Sequence, residues 1–218
     1  MIVAIDGPAG CGKSSIASMI SKNLGFLYIN SGNIYRAISL SAIRQGVGLD
    51  DPAAIIAVAS RAKIEYRDDG AICLDGKIIE RELRSAEVDA IVAQVSAIPE
   101  VRTIVNSIVH KVAVGRDSVA EGRDMTTVAF PDADLKIYLD ASIEKRAERR
   151  FRQNASGMSL DEIRRNIAMR DRIDSTKSTG ALKIAEDAYY LDTSCLTIQQ
   201  VYEKVYSKIL YVRDTHGQ

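Results

Sequence analysis

The first hydrophobic positions of the chain predict a buried strand, a glycine-rich loop and a helix, in that order. Ile2 to Ile5 is a short apolar run rich in β-branched residues, which is typical of a buried strand. Gly7 to Gly12 is rich in glycine, and Lys13 to Leu24 then places apolar residues at helical spacing before Gly25. The chain therefore begins with a predicted strand–loop–helix unit.

The rest of the chain continues to alternate between the two periodicities. Short apolar runs predict further strands at Phe26–Ile29, Ser118–Glu121, Leu135–Leu139 and Tyr189–Leu191. Helical spacing and capping signals predict helices at Asn33–Gln45, from Pro52, and at Pro99–Val114, Ser142–Arg152, Leu160–Arg172 and Thr197–Leu210. Strands that alternate with helices favour a three-layer α/β fold, in which helices cover both faces of a mainly parallel sheet.

One segment departs from this alternation. Short alternating runs at Ile64–Arg67, Ala71–Leu74 and Lys77–Ile79 are separated by the turn sequences Asp68-Asp69-Gly70 and Asp75-Gly76. Two Asp-Gly turns between short strands predict a small antiparallel meander. We interpret this segment as part of a subdomain inserted into the α/β fold.

Composition and charge narrow the class of protein. The chain has 218 residues, of which 46% are hydrophobic, and 29 Lys and Arg residues balance 29 Asp and Glu residues. This length predicts one domain, or one domain carrying an insertion, and the balanced charge disfavours nucleic acid as a partner. No run is long enough to span a membrane, no signal peptide is evident, and three widely spaced cysteines suit neither disulfides nor a zinc site. We therefore expect a cytoplasmic protein with reduced thiols and no membrane partner.

The segment Gly7-Pro8-Ala9-Gly10-Cys11-Gly12-Lys13-Ser14 matches the phosphate-binding pattern G-x-x-x-x-G-K-[ST] at every fixed position. Glycines let backbone N–H groups converge on phosphate oxygens, and the following helix directs its positive end at the same anion. The pattern assigns Lys13 to the β- and γ-phosphates and the Ser14 hydroxyl to a Mg²⁺ ion. Cys11 is interpreted as a small filler in this loop.

A phosphate-binding loop does not by itself identify a function, because GTPase switches, ATPases and small-molecule kinases all contain one. The chain has no Asn-Lys-x-Asp segment that would read guanine, which disfavours a GTPase. Asn30–Arg36 and Glu121–Met125 both follow predicted strands, at the sheet edge where α/β enzymes bind ligands. An arginine beside a carboxylate in the second segment suits a charged polar ligand, and a local ion pair is the alternative.

Arginine is concentrated in the two helices predicted between residues 142 and 172. This region contains Arg146, Arg149, Arg150, Arg152, Arg164, Arg165, Arg170 and Arg172. Phosphoryl transfer needs positive groups around the moving phosphoryl group and a lid that excludes water. We expect a few of these arginines to reach a phosphate cluster and the others to be solvated.

These segments together make the chain similar to the bacterial cytidylate (CMP) kinases, which are nucleoside monophosphate kinases. The likeness extends over nearly the whole chain and is most specific at Ile5–Gly10, Ser31–Arg36, Gly122–Met125, Phe130–Ala133, Lys136–Ser142 and Arg170–Asp174. It implies a P-loop kinase with a core at about 1–32 and 105–218, an inserted monophosphate-binding subdomain at about 33–104, and a lid at about 151–168. The implied reaction transfers the γ-phosphoryl group of ATP to CMP or dCMP with Mg²⁺, in a monomeric enzyme.

The resemblance also implies roles for single residues. The donor phosphates would be held by Gly7, Pro8, Ala9, Gly10, Cys11, Gly12, Lys13, Ser14 and Ser15. The substrate CMP would be bound by Ser31, Arg36, Arg102, Arg123, Asp124, Asp174 and Lys177. Within that set, Arg36 and Arg123 would hold the phosphate, Arg102 and Asp124 would read cytosine, and Asp174 would contact the ribose. The catalytic cations would be Lys13, Arg123, Arg150 and Arg170.

Three positions depart from the pattern of the family. Asn30 stands where an aspartate is frequent, Ala93 where some members have a serine that contacts the base, and Lys177 where an arginine grips the acceptor phosphate. Lysine keeps the charge but loses bidentate geometry. A kinase for shikimate or another nucleoside monophosphate is the alternative enzyme, and a nucleotide-binding regulator is the alternative class. Dependence of ADP formation on CMP distinguishes these possibilities.

Overall fold

The computed structural model divides the chain into two compact units. The core unit comprises Met1–Tyr28 and Asp117–Gln218, and the inserted unit comprises Ile29–Arg116. The structure describes residues 1–67, 70–153, 158–177 and 179–216. The predicted lid loop at Asn154–Gly157 and residues Asp68 and Asp69 of the first predicted meander turn lie outside the described residues.

Eight strands occur in the described part of the chain, and they form two sheets. In chain order they are β1 Ile2–Asp6, β2 Leu27–Asn30, β3 Ile64–Tyr66, β4 Ile72–Leu74, β5 Lys77–Ile78, β6 Ser118–Glu121, β7 Leu135–Asp140 and β8 Tyr189–Asp192. The larger sheet has the order β2-β6-β1-β7-β8, and β1 runs parallel to both β6 and β7, as β7 does to β8. The predicted mainly parallel α/β sheet is therefore confirmed, and its central strand β1 leads directly into the glycine-rich loop.

Eight α-helices occur among the described residues. They are α1 Lys13–Leu24, α2 Ser31–Arg44, α3 Pro52–Arg61, α4 Ala86–Val95, α5 Pro99–Ala113, α6 Ile143–Arg152, α7 Leu160–Thr176 and α8 Ile198–His216. None of the helices in the described part of the chain is long and apolar enough to cross a membrane.

The core unit is organised around β1 and the helices next to it. Val3 and Ile5 on β1, Ile16 on α1, and Val205 and Ile209 on α8 are completely buried and belong to one hydrophobic cluster. Apolar side chains at these positions are removed from water on folding, which stabilises the strand–loop–helix unit. The glycine-rich loop therefore connects a strand and a helix that are both packed into this hydrophobic cluster.

In the inserted unit, α2 packs against α3, α4 and α5. The strands β3, β4 and β5 form an antiparallel sheet in that order, which confirms the predicted meander. The turn between β4 and β5 has positive φ at both central residues, 50° at Asp75 and 79° at Gly76. Such a turn matches the twist of a two-stranded ribbon, and the Asp-Gly sequence favours it.

Helix α4 and a short π-helix had not been predicted. Helix α4 begins after Ser85, whose side chain accepts a hydrogen bond from the N–H of Val88, and it buries Val88 and Val95. These residues supply a cap and helical spacing, so the sequence contained a signal that was missed. Met125–Ala129 forms a π-helix, in which the N–H of Phe130 bonds the carbonyl of Met125 at 2.7 Å. No local sequence pattern marks such a turn.

Candidate active site

The loop between β1 and α1 has a backbone that glycine alone accommodates at two positions. Gly7 has a φ of +149°, and a Cβ atom there would lie 2.0 Å from the carbonyl oxygen of Leu139. Gly10 has a φ of +82°, and its Cβ atom would lie 3.3 Å from the Cβ of Arg146. Positive φ angles and close packing together explain why glycine is needed at these positions.

Lys13 turns its side chain back over this loop. Its Nζ donates to the carbonyl oxygens of Gly7 (2.7 Å) and Pro8 (2.8 Å), and it lies 3.7 Å from the Sγ of Cys11. Burial, reinforced by the positive charge of Arg123, lowers the pKa of Lys13. An anion bound in the loop would favour the charged form of the lysine, which makes the position suitable for phosphate.

Three cationic side chains of the core unit surround one buried carboxylate. The Nε of Arg123 donates to Oδ2 of Asp174 at 2.7 Å. The Nζ of Lys177 lies 3.0 Å from Oδ1 of the same carboxylate, and the Nε of Arg170 lies 4.0 Å from its Oδ2. We call these four residues the cationic cluster. Its positive charges outnumber its negative charge, which suits phosphate groups.

Charges inside the cationic cluster control the ionisation of its carboxylate. Burial alone would raise the pKa of Asp174, but the charges of Arg123 and Lys177 outweigh it and hold this pKa below its ordinary value. Burial would likewise lower the pKa of Arg123, and the charge of Asp174 outweighs it, so this pKa lies above its ordinary value. Asp174 is therefore ionised at neutral pH and keeps Arg123 in place.

A second buried carboxylate, Asp6 at the end of β1, holds the segment that follows β6. Its Oδ1 accepts from the N–H of Met125 at 3.0 Å, and its Oδ2 accepts from the N–H and the hydroxyl of Thr126, both at 2.7 Å. Burial raises the pKa of Asp6, and these hydrogen bonds act in the opposite direction. Asp6 thus orders the backbone directly after Asp124, which is itself buried. Asp6 was not among the predicted site residues.

Two arginines of α6 are directed toward the glycine-rich loop. Arg146 forms a bidentate pair with Asp171 through Nη1 (3.0 Å) and Nη2 (2.7 Å), and its Nη1 also lies 3.2 Å from the carbonyl oxygen of Ala9. The Nη1 of Arg149 lies 3.3 Å from the carbonyl oxygen of Cys11. Both side chains therefore contact backbone carbonyl oxygens of the loop.

The other arginines of α6 and α7 have exposed side chains. They are Arg150, Arg152, Arg164, Arg165, Arg170 and Arg172. Arg170 takes part in the cationic cluster, and Arg150 follows Arg149 on α6. The structure thereby separates the two arginines that touch the loop from those that face solvent, a division that periodicity alone did not provide.

In the inserted unit, Arg36 on α2 has two partners. Its Nη1 donates to the carbonyl oxygen of Leu83 at 2.8 Å and lies 2.6 Å from Oδ1 of Asp89. Asp89 belongs to α4, the helix that had not been predicted, so this pair was not foreseen either. The two contacts set the direction in which the Arg36 guanidinium is presented.

Arg102 on α5 is buried beside an aromatic ring of the same unit. Its Nη1 donates to the carbonyl oxygen of Ser96 at 3.0 Å, and its guanidinium lies 5.5 Å from the ring centroid of Tyr35. The hydroxyl of Ser96 donates to the carbonyl oxygen of Ala93 at 2.9 Å. Arg102 is therefore held by a carbonyl and a ring, and Ser96 is engaged with Ala93.

The start of α2 shows what Asn30 does in place of an aspartate. Its side chain accepts a hydrogen bond from the N–H of Asn33 at 3.1 Å and so caps the helix. Ser31, the first residue of α2, is buried. Asparagine caps helices about as well as aspartate, so the substitution keeps the local structure and removes one charge.

Ser14 and Ser15 lie in the first turn of α1, and both side chains are exposed. A hydroxyl at this position suits Mg²⁺, which takes oxygen ligands and obtains most of them from water and substrate phosphates. Within the described residues, no group of three His, Cys, Asp or Glu side chains is arranged to hold a metal ion. The Ser14 hydroxyl is an oxygen ligand of the kind that Mg²⁺ takes.

Comparison with known proteins agrees with this geometry. The family model for cytidylate kinase matches residues 3–210 of the chain. The cytidylate kinase of Caldanaerobacter subterraneus subsp. tengcongensis is 41% identical over 219 residues, which cover 99% of this chain and 96% of the relative. The cytidylate kinase of Alkaliphilus oremlandii is 39% identical over 206 residues, covering 93% and 94%.

A solved structure has a similar fold. A protein from Eubacterium ventriosum superposes with a TM-score of 0.54 at 9% sequence identity, and the likeness covers 96% of this chain and 98% of that protein. At such low identity the likeness concerns the fold alone.

Proposed function

Because this chain belongs to the cytidylate kinase family, we propose that it transfers the γ-phosphoryl group of ATP to CMP and dCMP. The products are ADP and CDP or dCDP. The cationic cluster is the observation that supports this reaction most directly. Its Arg123 is close enough to Lys13 for the charge of one to lower the pKa of the other. A phosphate-binding loop and a cluster with excess positive charge are what phosphoryl transfer requires.

The proposed step is a direct in-line transfer. The bond between the γ-phosphorus and the bridging oxygen of ADP breaks, and a bond forms to a phosphate oxygen of CMP. That oxygen belongs to an ionised phosphate, so no strong general base is needed. The protein contributes position and charge, with Lys13 and Arg123 offsetting the negative charge on the moving group.

The proposed donor site is the loop from Gly7 to Ser15, with Lys13 at the β- and γ-phosphates. Ser14 would hold Mg²⁺, which enters with ATP and offsets phosphate charge when bound. Arg150 and Arg170 are proposed to join Lys13 and Arg123 around the transferring group. The side chains of both arginines are exposed to solvent.

The acceptor residues remain proposals carried over from the family. Arg36 and Arg123 are suited to the phosphate of CMP, because a guanidinium presents a planar pair of donors. Arg102 and Asp124 would read cytosine, and Asp174 would contact the ribose. The two further members of the proposed set are Ser31 and Lys177.

Three further expectations accompany the reaction. Residues 151–168 would act as a lid over the nucleotides, and part of this segment lies outside the described residues. The enzyme would act as a monomer and in the cytoplasm. Slower hydrogen exchange at the start of α7 when ATP and CMP analogues bind together would support the lid, and unchanged exchange would contradict it.

A coupled assay of ADP formation over a panel of acceptors tests the proposed function. CMP and dCMP should accelerate ADP formation strongly, whereas UMP should do so less and shikimate not at all. ADP formation that is indifferent to every acceptor would indicate a nucleotide-hydrolysing regulator. A response to shikimate alone would indicate a different small-molecule kinase.

A further inference from the structure

We propose that Arg149 and Thr193 are positioning residues for the donor phosphates, because together they hold the phosphate-binding loop from its outer side. The Nη1 of Arg149 lies 3.3 Å from the carbonyl oxygen of Cys11 and 3.0 Å from Oγ1 of Thr193. Its Nη2 donates to the carbonyl of Thr193. The hydroxyl of Thr193 lies 3.2 Å from the same Cys11 oxygen. A helix side chain and the residue after β8 thus converge on one carbonyl of the loop.

The contact at the Cys11 carbonyl also sets the direction of the N–H of Gly12, because both groups belong to one peptide bond. The C=O and N–H of a trans peptide point in opposite directions, and the described chain has no cis peptide bond. A Cys11 carbonyl held toward Arg149 therefore directs the N–H of Gly12 to the other side of the loop, where phosphate oxygens bind. Space around Gly12 is open, since a Cβ atom there would meet nothing within 4 Å. Gly12 has no side chain that could set the direction of this peptide, and the hydrogen bonds to the Cys11 carbonyl supply that direction.

Thr193 is a rigid anchor for this arrangement. It is fully buried, and its N–H donates to the carbonyl oxygen of Asp140 at the end of β7, at 2.8 Å. Its hydroxyl lies 2.8 Å from the Asp140 carbonyl as well as 3.2 Å from that of Cys11, and it donates to one of them at a time. Arg149 supplies the second donor, so the Cys11 carbonyl keeps a partner in either case.

The neighbouring carbonyls of the loop are engaged in the same way. Those of Gly7 and Pro8 accept from Lys13, and that of Ala9 accepts from Arg146. Arg146 also forms its bidentate pair with α7, so its removal would disturb helix packing. Arg149 and Thr193 are therefore the positions at which the support of the loop is tested with the least disturbance.

Binding of two probes to the full chain tests this inference, which rests on the proposed function in assuming that the loop binds ATP. In calorimetric titrations, the affinities of Arg149→Met for ADP and for tripolyphosphate should both be about tenfold lower than those of the wild type. The reason is that the N–H of Gly12, once displaced, loses its contact with phosphate oxygens. Arg149→Lys should recover part of the loss. A wild-type chain that binds both probes without phosphorylating CMP would refute the proposed function and leave this inference standing.

Matched variants separate positioning from charge and from contact with the adenine. Lys145→Met removes an exposed positive charge from the same helix and should leave both affinities unchanged. Thr193→Val removes the hydroxyl without changing charge and should weaken both probes several-fold, whereas Thr193→Ser should bind like the wild type. Valine and serine are both uncharged, so a difference in affinity between the two variants is caused by the hydroxyl group.

Three results would overturn the inference. They are unchanged affinity for tripolyphosphate in Arg149→Met whether or not ADP is weakened, an equal loss in Lys145→Met, and equal affinities of Thr193→Val and Thr193→Ser. Circular dichroism checks that each variant is folded. If Arg149→Met does not fold, the comparison of the two threonine variants decides the question by itself.

Discussion

The arginines of the two units are held in different ways. In the core unit, Arg123 shares the carboxylate of Asp174 with two other cations, so positive charge is in excess. In the inserted unit, Arg36 is paired with the carboxylate of Asp89 and a neutral carbonyl. An excess of charge suits a phosphoryl group in transfer, whereas a neutral, oriented pair suits the recognition of a ligand that binds and leaves.

The comparison assigns different kinetic signatures to the two units. Changes at the loop and the cationic cluster should lower kcat, because they remove interactions that strengthen in the transition state. Changes in the inserted unit should raise KM for the acceptor with a smaller effect on kcat.

Lys13→Ala should have the largest effect. The variant loses the charge assigned to the β- and γ-phosphates, so kcat should fall by at least roughly 10²-fold, as for the loss of one key electrostatic group. Steady-state kinetics with CMP measures the change. Lys22→Ala, on the exposed side of the same helix, is the matched control and should behave like the wild type. Wild-type turnover by a folded Lys13→Ala protein would remove the loop from the mechanism.

Asp124→Asn should change the choice of base. Cytosine offers an amine donor where uracil presents a carbonyl, and a carboxylate accepts from the first and repels the second. An unsatisfied buried group costs roughly 1–3 kcal/mol, which predicts a CMP preference of about 10–10²-fold in kcat/KM for the wild type. The variant should lower activity with CMP and narrow its preference over UMP.

Kinetics with both acceptors, in wild type and Asp124→Asn, decides between two roles for this residue. If Asp124 only positions Arg123, the variant should lose activity with CMP and UMP by equal factors. A narrowed ratio supports base recognition, and an unchanged ratio contradicts it.

Arg36→Met should raise KM for CMP by about tenfold, because a charge-assisted contact to the acceptor phosphate is lost. KM for ATP should stay nearly constant. Arg44→Met is the matched control on the same helix, since Arg44 forms an exposed pair with Glu82, and such pairs contribute little. A rise in KM for ATP as large as that for CMP would break the proposed division between the units.

The smallest expected effect is on the free energy of unfolding, and it depends on pH through Asp174. The pKa of Asp174 is held below its ordinary value of 3.8 in the folded protein. Its ionised form therefore stabilises the fold at pH values above 3.8, and this contribution is lost as the pH falls through 3.8 toward the lower folded pKa. The difference in free energy of unfolding between wild type and Asp174→Asn should shrink over that range. A difference that is constant with pH would contradict the coupling to Arg123 and Lys177.

The sequence allowed correct prediction of what depends on local pattern. The helix Lys13–Leu24 was predicted with its observed bounds, and the meander followed from turn residues such as Gly76. The glycine-rich loop was recognisable because each fixed position has a local physical reason. Helix α4 was missed even though Ser85 and Val88 gave a cap and a spacing.

The contacts that organise the site depend on residues far apart in the chain. Asp6 bonds Thr126, 120 positions away, and Arg149 bonds Thr193, 44 positions away. Helical periodicity placed the arginines of α6 on faces, and it could not say which of them meets a loop carbonyl. Such partners are determined by the packing of α6 against the loop and β8, which only the tertiary structure provides.

Phosphorus NMR of the full chain with ATP, Mg²⁺ and CMP tests the central claim most directly. The account predicts that CDP and ADP appear in equal amounts as CMP and ATP disappear, with no orthophosphate released. Orthophosphate and ADP without CDP would contradict it, because the γ-phosphoryl group would then pass to water rather than to the acceptor.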